Sequence, residues 1–121
     1  MLVLGIALAG AVGAPARYFV DRAVLDRTRA RLPIGTLFIN VTGSFVLGVL
    51  TGLALYHAFP STPKTILGTG FCGAFTTFST FAYDVVRLAE QGRRGDAVRT
   101  LVAGVVLPTL AAALGLALAA L

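Results

Sequence analysis

The sequence predicts an all-α integral membrane protein with four transmembrane helices, the third of them broken. Three observations carry this prediction. The 121-residue chain is 57% apolar and 12% charged, with a mean hydropathy of +0.89, far from the balance of a water-soluble domain. Its apolar residues fall into four runs of about 20 residues, the length a helix needs to cross the hydrocarbon core. The third run is crowded with glycine and β-branched residues that a regular helix tolerates poorly.

A chain of this size forms one domain, residues 1–121. Four crossings consume roughly 80 residues and leave little for a separate catalytic domain. A net charge of +5 and a pI near 10.4 would suggest nucleic acid in a soluble protein. Here the basic residues lie in short segments between apolar runs, so no nucleic-acid partner is expected and the lipid bilayer is the partner. Cys72 is the only cysteine, which excludes an intrachain disulfide and a structural zinc site.

The first span covers about residues 1–20. No Lys or Arg precedes it, so it lacks the basic start of a cleavable signal and is expected to remain as a span. Residues 21–32 are polar and rich in arginine, and Pro33 opens the second span, about 33–56. Pro60, Ser61, Thr62 and Pro63 mark a turn before the third span, about 65–86. Arg87 to Arg99 is polar, with Gly92 and Gly95 as helix stops, and the fourth span covers about 100–121. Both termini then lie on one side.

Arginine distribution sets the orientation. Arg17, Arg22, Arg27, Arg29 and Arg31 lie in or beside loop one, and Arg87, Arg93, Arg94 and Arg99 in or beside loop three; Lys64 alone belongs to the other side. Because positive residues accumulate in cytoplasmic loops, loops one and three are expected in the cytoplasm and both termini outside, in the cell's inner (plasma) membrane.

Two spans carry chemistry. In span two, Thr36, Asn40, Ser44, Gly48 and Gly52 recur every fourth residue and form one slowly winding stripe on a helix face. Asn40 places an amide well inside the span, either as interhelical glue or as a donor to a permeating anion. Span three has five hydroxyl residues and four phenylalanines between Thr69 and Phe81. Gly68, Gly70 and Gly73 each cost about 1 kcal/mol relative to Ala in a helix, and Thr76-Thr77 follow, so a break is expected near Gly73–Thr77. A break would free carbonyl oxygens for a cation, and phenylalanine ring edges carry partial positive charge that can face a small anion. Close helix packing is the alternative reading of the same residues. Asp84 either pairs with an arginine or marks a pore mouth, and Arg17 either anchors the span or supplies a vestibule charge. No G-x-S-x-G, H-E-x-x-H or P-loop is present and His57 stands alone, so an enzyme is not expected.

Three segments, Gly13-Ala-x-x-Arg17-Tyr, Gly35-Thr-Leu-x-x-Asn40-x-x-Gly43-Ser-Phe-x-x-Gly48 and Gly70-Phe-Cys-Gly-x-Phe-Thr-Thr-Phe78-Ser-Thr-Phe81, resemble the small Fluc/CrcB fluoride channels along almost the whole chain. The resemblance implies an antiparallel dimer of four-helix subunits with two fluoride pores and a central structural sodium ion (Na+). It implies that Gly73 and Thr76 supply sodium-facing carbonyls. Phe78 and Phe81 would line the fluoride path with ring edges, and Asn40 would be a pore-lining amide. Ser79 and Thr80 match a track of hydroxyls, and Arg17 a vestibule arginine. Passive export of fluoride from the cytoplasm, lowering its toxicity, is the implied function; an inside-negative potential of about 100 mV favours anion exit by about 2.3 kcal/mol.

One departure stands out: span four offers chiefly Thr100 and Thr109, around Gly104 and Pro108, where the family often carries pore-side hydroxyls. With the arginine bias, this suggests that the antiparallel mate is a homologous but different chain, with a homodimer as the alternative. A small multidrug exporter would need an intramembrane carboxylate that span one lacks, and a non-conducting scaffold would leave the Thr-Phe cluster incidental.

Overall fold

Backbone amides cannot be left unpaired in lipid, and a chain this apolar satisfies them within helices. The computed structural model describes residues Met1–Leu121 and contains helices joined by short connections. Helices α1 (Leu2–Arg27), α2 (Ile34–Tyr56) and α6 (Arg94–Ala119) are each long and apolar enough to cross a membrane. Between α2 and α6 lie α3 (Ser61–Thr65), a π-helical segment (Ile66–Cys72), α4 (Gly73–Phe75) and α5 (Phe78–Glu90). Leu8, Val12, Leu110 and Leu114 are all more than half exposed. Such a surface is stable only against acyl chains, and the protein is an integral membrane protein.

Two helices outrun their apolar runs. α1 continues through the polar residues after Val20 to Arg27, since no glycine or proline interrupts them; it stops where Thr28 turns extended and its hydroxyl donates to Val24 O at 2.7 Å. α6 starts at Arg94, with Asp96 in its first turn, where a carboxylate favours the helix dipole. Gly95, expected as a stop, therefore lies inside that turn, and Gly92 alone terminates α5, with φ of 77°. Ion pairs from Asp96 to Arg93 at 2.8 Å and to Arg99 at 3.6 Å stitch the same turn. Arg93 Nη2 also donates to Arg31 O at 3.1 Å, tying the two arginine-rich loops together.

Glycines set how closely the helices approach. The lower half of the α2 stripe packs on α6: a Cβ at Gly48 would lie 2.9 Å from Ala112 C, and one at Gly52 would lie 2.6 Å from Ala119 Cβ. α1 meets the π-helical segment equally closely, with Gly13 against the Phe71 carbonyl. Association in lipid has little hydrophobic drive, so this backbone-to-backbone dispersion holds the bundle together. At the opposite end from the arginine loops, His57 Nε2 donates to Ala119 O at 2.8 Å and fastens the end of α2 to the last turn of α6.

Replacing Gly48 by Leu forces α2 and α6 apart and is expected to cost about 1–3 kcal/mol in unfolding from detergent micelles. Gly95→Ala, where an added Cβ meets nothing within 4 Å, is the control and should lose no stability.

Candidate functional site

The helical path stops at Phe75. Thr76 (φ −80°, ψ 161°) and Thr77 (φ −149°, ψ 123°) are extended, and α5 begins at Phe78. What would be two orphaned peptide groups is resolved by one side chain on α2. Asn40 Nδ2 donates to Thr77 O at 2.9 Å, while Thr77 N–H donates to Asn40 Oδ1 at 2.9 Å. Asn40 thus acts as a surrogate peptide, and it can do so because both its donor and its acceptor face the same residue.

The remaining groups follow from that pairing. In an unbroken helix Thr77 N–H would donate to Gly73 O; here it is committed to Asn40, so the Gly73 carbonyl has lost its helical partner. Thr76 N–H and Thr76 Oγ1 both donate to Cys72 O at 2.9 Å. Thr76 O accepts a long bond of 3.4 Å from Arg17 Nη1. Thr77 Oγ1 caps α5, accepting Thr80 N–H at 3.2 Å, and it contacts Ser79 Oγ at 3.3 Å and donates to Thr80 Oγ1 at 3.1 Å.

The two phenylalanines of the motif differ. Phe78 is 78% exposed, whereas Phe81 is 7% exposed and packs on α6 at Gly104, where an added Cβ would collide with the ring. Their centroids are 5.8 Å apart at 61°, an edge-to-face pair. Ser79, Thr80 and Gly73 are exposed as well.

Three cavities run from the break toward the arginine loops. The first, of about 310 Å3, lies between Asn40, Ser44, Thr76, Thr77, Phe78 and Pro108. The second, of about 120 Å3, shares Asn40, Phe81 and Gly104 with it and adds Thr36 and Thr100. The third, of about 250 Å3, is lined by Arg31, Asp84, Arg87, Gln91 and Arg93 and shares Leu32 and Pro33 with the second. Asp84 is positioned by Thr36, whose hydroxyl donates to Oδ2 at 3.2 Å.

The structure therefore gathers Asn40, Gly73, Thr76, Phe78, Ser79, Thr80, Phe81 and Arg17 around one interruption. Sequence reasoning did not find Thr77 as the partner of Asn40, nor the Thr36–Asp84 bond. The four-residue spacing of Thr36 and Asn40 was the available signal, because both use the same face of α2 to reach the third segment. Gly104 as the seat of Phe81 had no sequence signal.

Comparison with known proteins gives a consistent picture. Residues 4–116 match the family model described as CrcB-like protein, Camphor Resistance (CrcB). The chain is 49% identical over 116 residues to "Fluoride-specific ion channel FluC 1" of Leifsonia xyli subsp. xyli, covering 96% of this chain and 85% of that one. It is 47% identical over 123 residues to "Fluoride-specific ion channel FluC 2" of Cutibacterium acnes, covering 98% and 97%. It is 48% identical over 115 residues to "Fluoride-specific ion channel FluC 1" of Streptomyces avermitilis, covering 94% and 89%.

Asn40→Leu leaves both polar groups of Thr77 unpaired and is expected to cost about 2–4 kcal/mol in micelle unfolding. Thr42→Val, which removes only hydroxyl bonds back to the helix's own Phe38 O and Ile39 O, should stay within about 0.5 kcal/mol of wild type.

Proposed function

The chain belongs to the CrcB-like family, and on that footing we propose that it is a subunit of a passive, fluoride-selective channel that exports fluoride from the cytoplasm and lowers its toxicity. The observation that carries this reading is the interruption at Thr76-Thr77, held open by Asn40 in an otherwise helical, lipid-exposed chain. α3 to α5 would together make the third crossing, as a broken span. Extended backbone at membrane depth is tolerated only when protein or a wet cavity shields it.

Fluoride is small and strongly hydrated, so a pore that selects it must replace water with several donors while letting no single one hold it fast. Asn40 uses one amide N–H on Thr77 and keeps a second for the cavity. Ser79 and Thr80 add hydroxyls, and Phe78 and Phe81 add ring edges further along. Arg17, beside the break rather than out at a loop, would raise the local potential for an anion.

Ser79 and Thr80 are exposed and the Gly73 carbonyl lacks its helical donor, polar groups that acyl chains do not satisfy, which supports a second subunit packed against them, inverted so that the same face meets itself. The carbonyls of Gly73 and Thr76 fit a central sodium ion: both are hard oxygens, one lacks its helical donor and the other has only a 3.4 Å bond from Arg17. Two such oxygens per chain fall short of the roughly six a hard cation takes, so each subunit would supply a share. When bound, the ion would supply positive charge near the anion path and link the subunits.

A homologous but different chain is the proposed mate. On α6 the first cavity meets Gly104, Val105, Pro108 and Thr109, and the Thr109 hydroxyl is spent on Val105 O at 2.7 Å. This wall offers an anion few donors, so the mate would bring a better-equipped α6. The arginine bias favours one orientation for this chain, loops one and three in the cytoplasm and both termini outside.

Reconstituted with its mate, the protein should release fluoride from loaded liposomes, read with a fluoride electrode, and exclude chloride. Phe78→Ile should slow release about tenfold, the loss of one ring-edge contact near 1.4 kcal/mol; unchanged release would remove that role. Fast fluoride-selective release from this chain alone would establish a homodimer instead. A C-terminal reporter should be active only outside the cytoplasm, and equal activity in both compartments would discard the fixed orientation.

A further inference from the structure

The two sides of α6 meet different surroundings. Gly104 seats Phe81 of α5, and Gly115 and Ala119 meet α2. Val102 and Val106 each lie two residues from Gly104, about 200° around the helix, and so point to the opposite side. With Val98, Arg99, Ala103 and Leu107 they line a groove of about 440 Å3, apolar but for the one guanidinium. From Val98 to Leu107 it extends about 13 Å along the helix, starting at the arginine end.

The arginines at that end are not equivalent. Arg93 spends its guanidinium on Asp96, through both Nε and Nη2, and on Arg31 O. Asp96 is thereby already neutralised, and Arg99 reaches it only at 3.6 Å, with a side chain 78% exposed. A contact that long and that exposed binds weakly, so the Arg99 donors remain open to another anion. Arg99 tops the groove at the level where an arginine's stem lies along apolar surface and its head reaches the membrane surface.

We propose that this groove binds an anionic phospholipid, with one acyl chain along Val98, Val102 and Val106 and the headgroup phosphate on Arg99. Lipid tails gain little by exchanging one apolar neighbour for another, so the valines position a chain while the charge supplies the preference. A second copy of this chain is the poorer occupant. Turned over, it would set against Arg99 an end that holds no Asp or Glu, because Asp21, Asp26, Asp84, Glu90 and Asp96 all lie at the arginine end. The site is separate from the interruption at Thr76-Thr77, and the inference does not depend on which ion the protein passes.

The test titrates the purified assembly, in an uncharged detergent, with phosphatidylglycerol or phosphatidylcholine, followed by thermal unfolding and by native mass spectrometry of retained lipid. Phosphatidylglycerol should stay bound and raise the unfolding midpoint, and phosphatidylcholine should bind at least about fivefold more weakly. Arg99→Gln should weaken phosphatidylglycerol binding about fivefold, the worth of one basic residue at a membrane surface. Arg94→Gln removes the same charge from outside the groove and should stay within twofold of wild type. Val102→Trp, which fills the groove and keeps Arg99, should also lose the lipid. Inorganic phosphate at matched ionic strength should neither raise the midpoint nor displace the lipid. Equal losses in R99Q and R94Q would reduce the effect to diffuse attraction by the arginine loops and overturn the site. Equal retention of the two lipids, full retention by V102W, or stabilisation by phosphate alone overturns it as well. The lipid comparison on the wild-type assembly and the V102W result decide the matter even if R99Q does not fold.

Discussion

The structure depends on a single exchange of hydrogen bonds, between the Asn40 side-chain amide and the Thr77 backbone. In water, an interrupted helix recovers its lost bonds from solvent. In a bilayer that recovery is absent, and an unpaired amide costs several kcal/mol. An amide side chain is the cheapest substitute because it carries the same two groups as the peptide it replaces. Once Asn40 occupies Thr77, the Gly73 carbonyl loses its donor, Thr77 Oγ1 is free to cap α5, and the chain can change direction without leaving the membrane. The polar cluster is thus a consequence of one pairing more than a collection of independent residues.

That pairing demands that α2 stay within reach of the third segment, and the glycines provide this. Gly48 and Gly52 draw α6 against one side of α2, while Gly43 leaves room for Thr76 and Phe75 on another. α2 is therefore gripped on two sides, with Thr36 and Asn40 fixed between. The same economy appears at Gly104, where the absent side chain is the space filled by the ring of Phe81. Small residues here shape the cavities as much as they pack the bundle.

Much of this was legible in the sequence, for physical reasons. Long apolar runs and confined arginines fix crossings and loops because the bilayer punishes any other arrangement. The Gly-rich stretch before Thr76-Thr77 marked a weak helix because glycine and paired β-branched residues both oppose it. What stayed hidden was relational. Nothing in the linear order says that Asn40 and Thr77 meet, that Asp84 takes the Thr36 hydroxyl, or that Phe81 turns inward while Phe78 turns outward. Two helices also run past their apolar spans, to Arg27 and from Arg94, since hydropathy reports the solvent and helical order does not stop with it.

The π-helical stretch from Ile66 to Cys72 has a geometric effect of its own. Its wider coil spends extra backbone per turn compared with an ordinary helix, so everything beyond it is turned about the axis by an amount that α-type winding would not give. Rewinding the same seven residues as an ordinary helix would swing Gly73 and its successors about the axis while leaving their identities intact. The loops and the composition would be unchanged, yet the carbonyls and rings would point elsewhere. In this protein, which way the atoms around Thr76 and Thr77 look is encoded upstream, as a phase carried by the seven residues that lead into them.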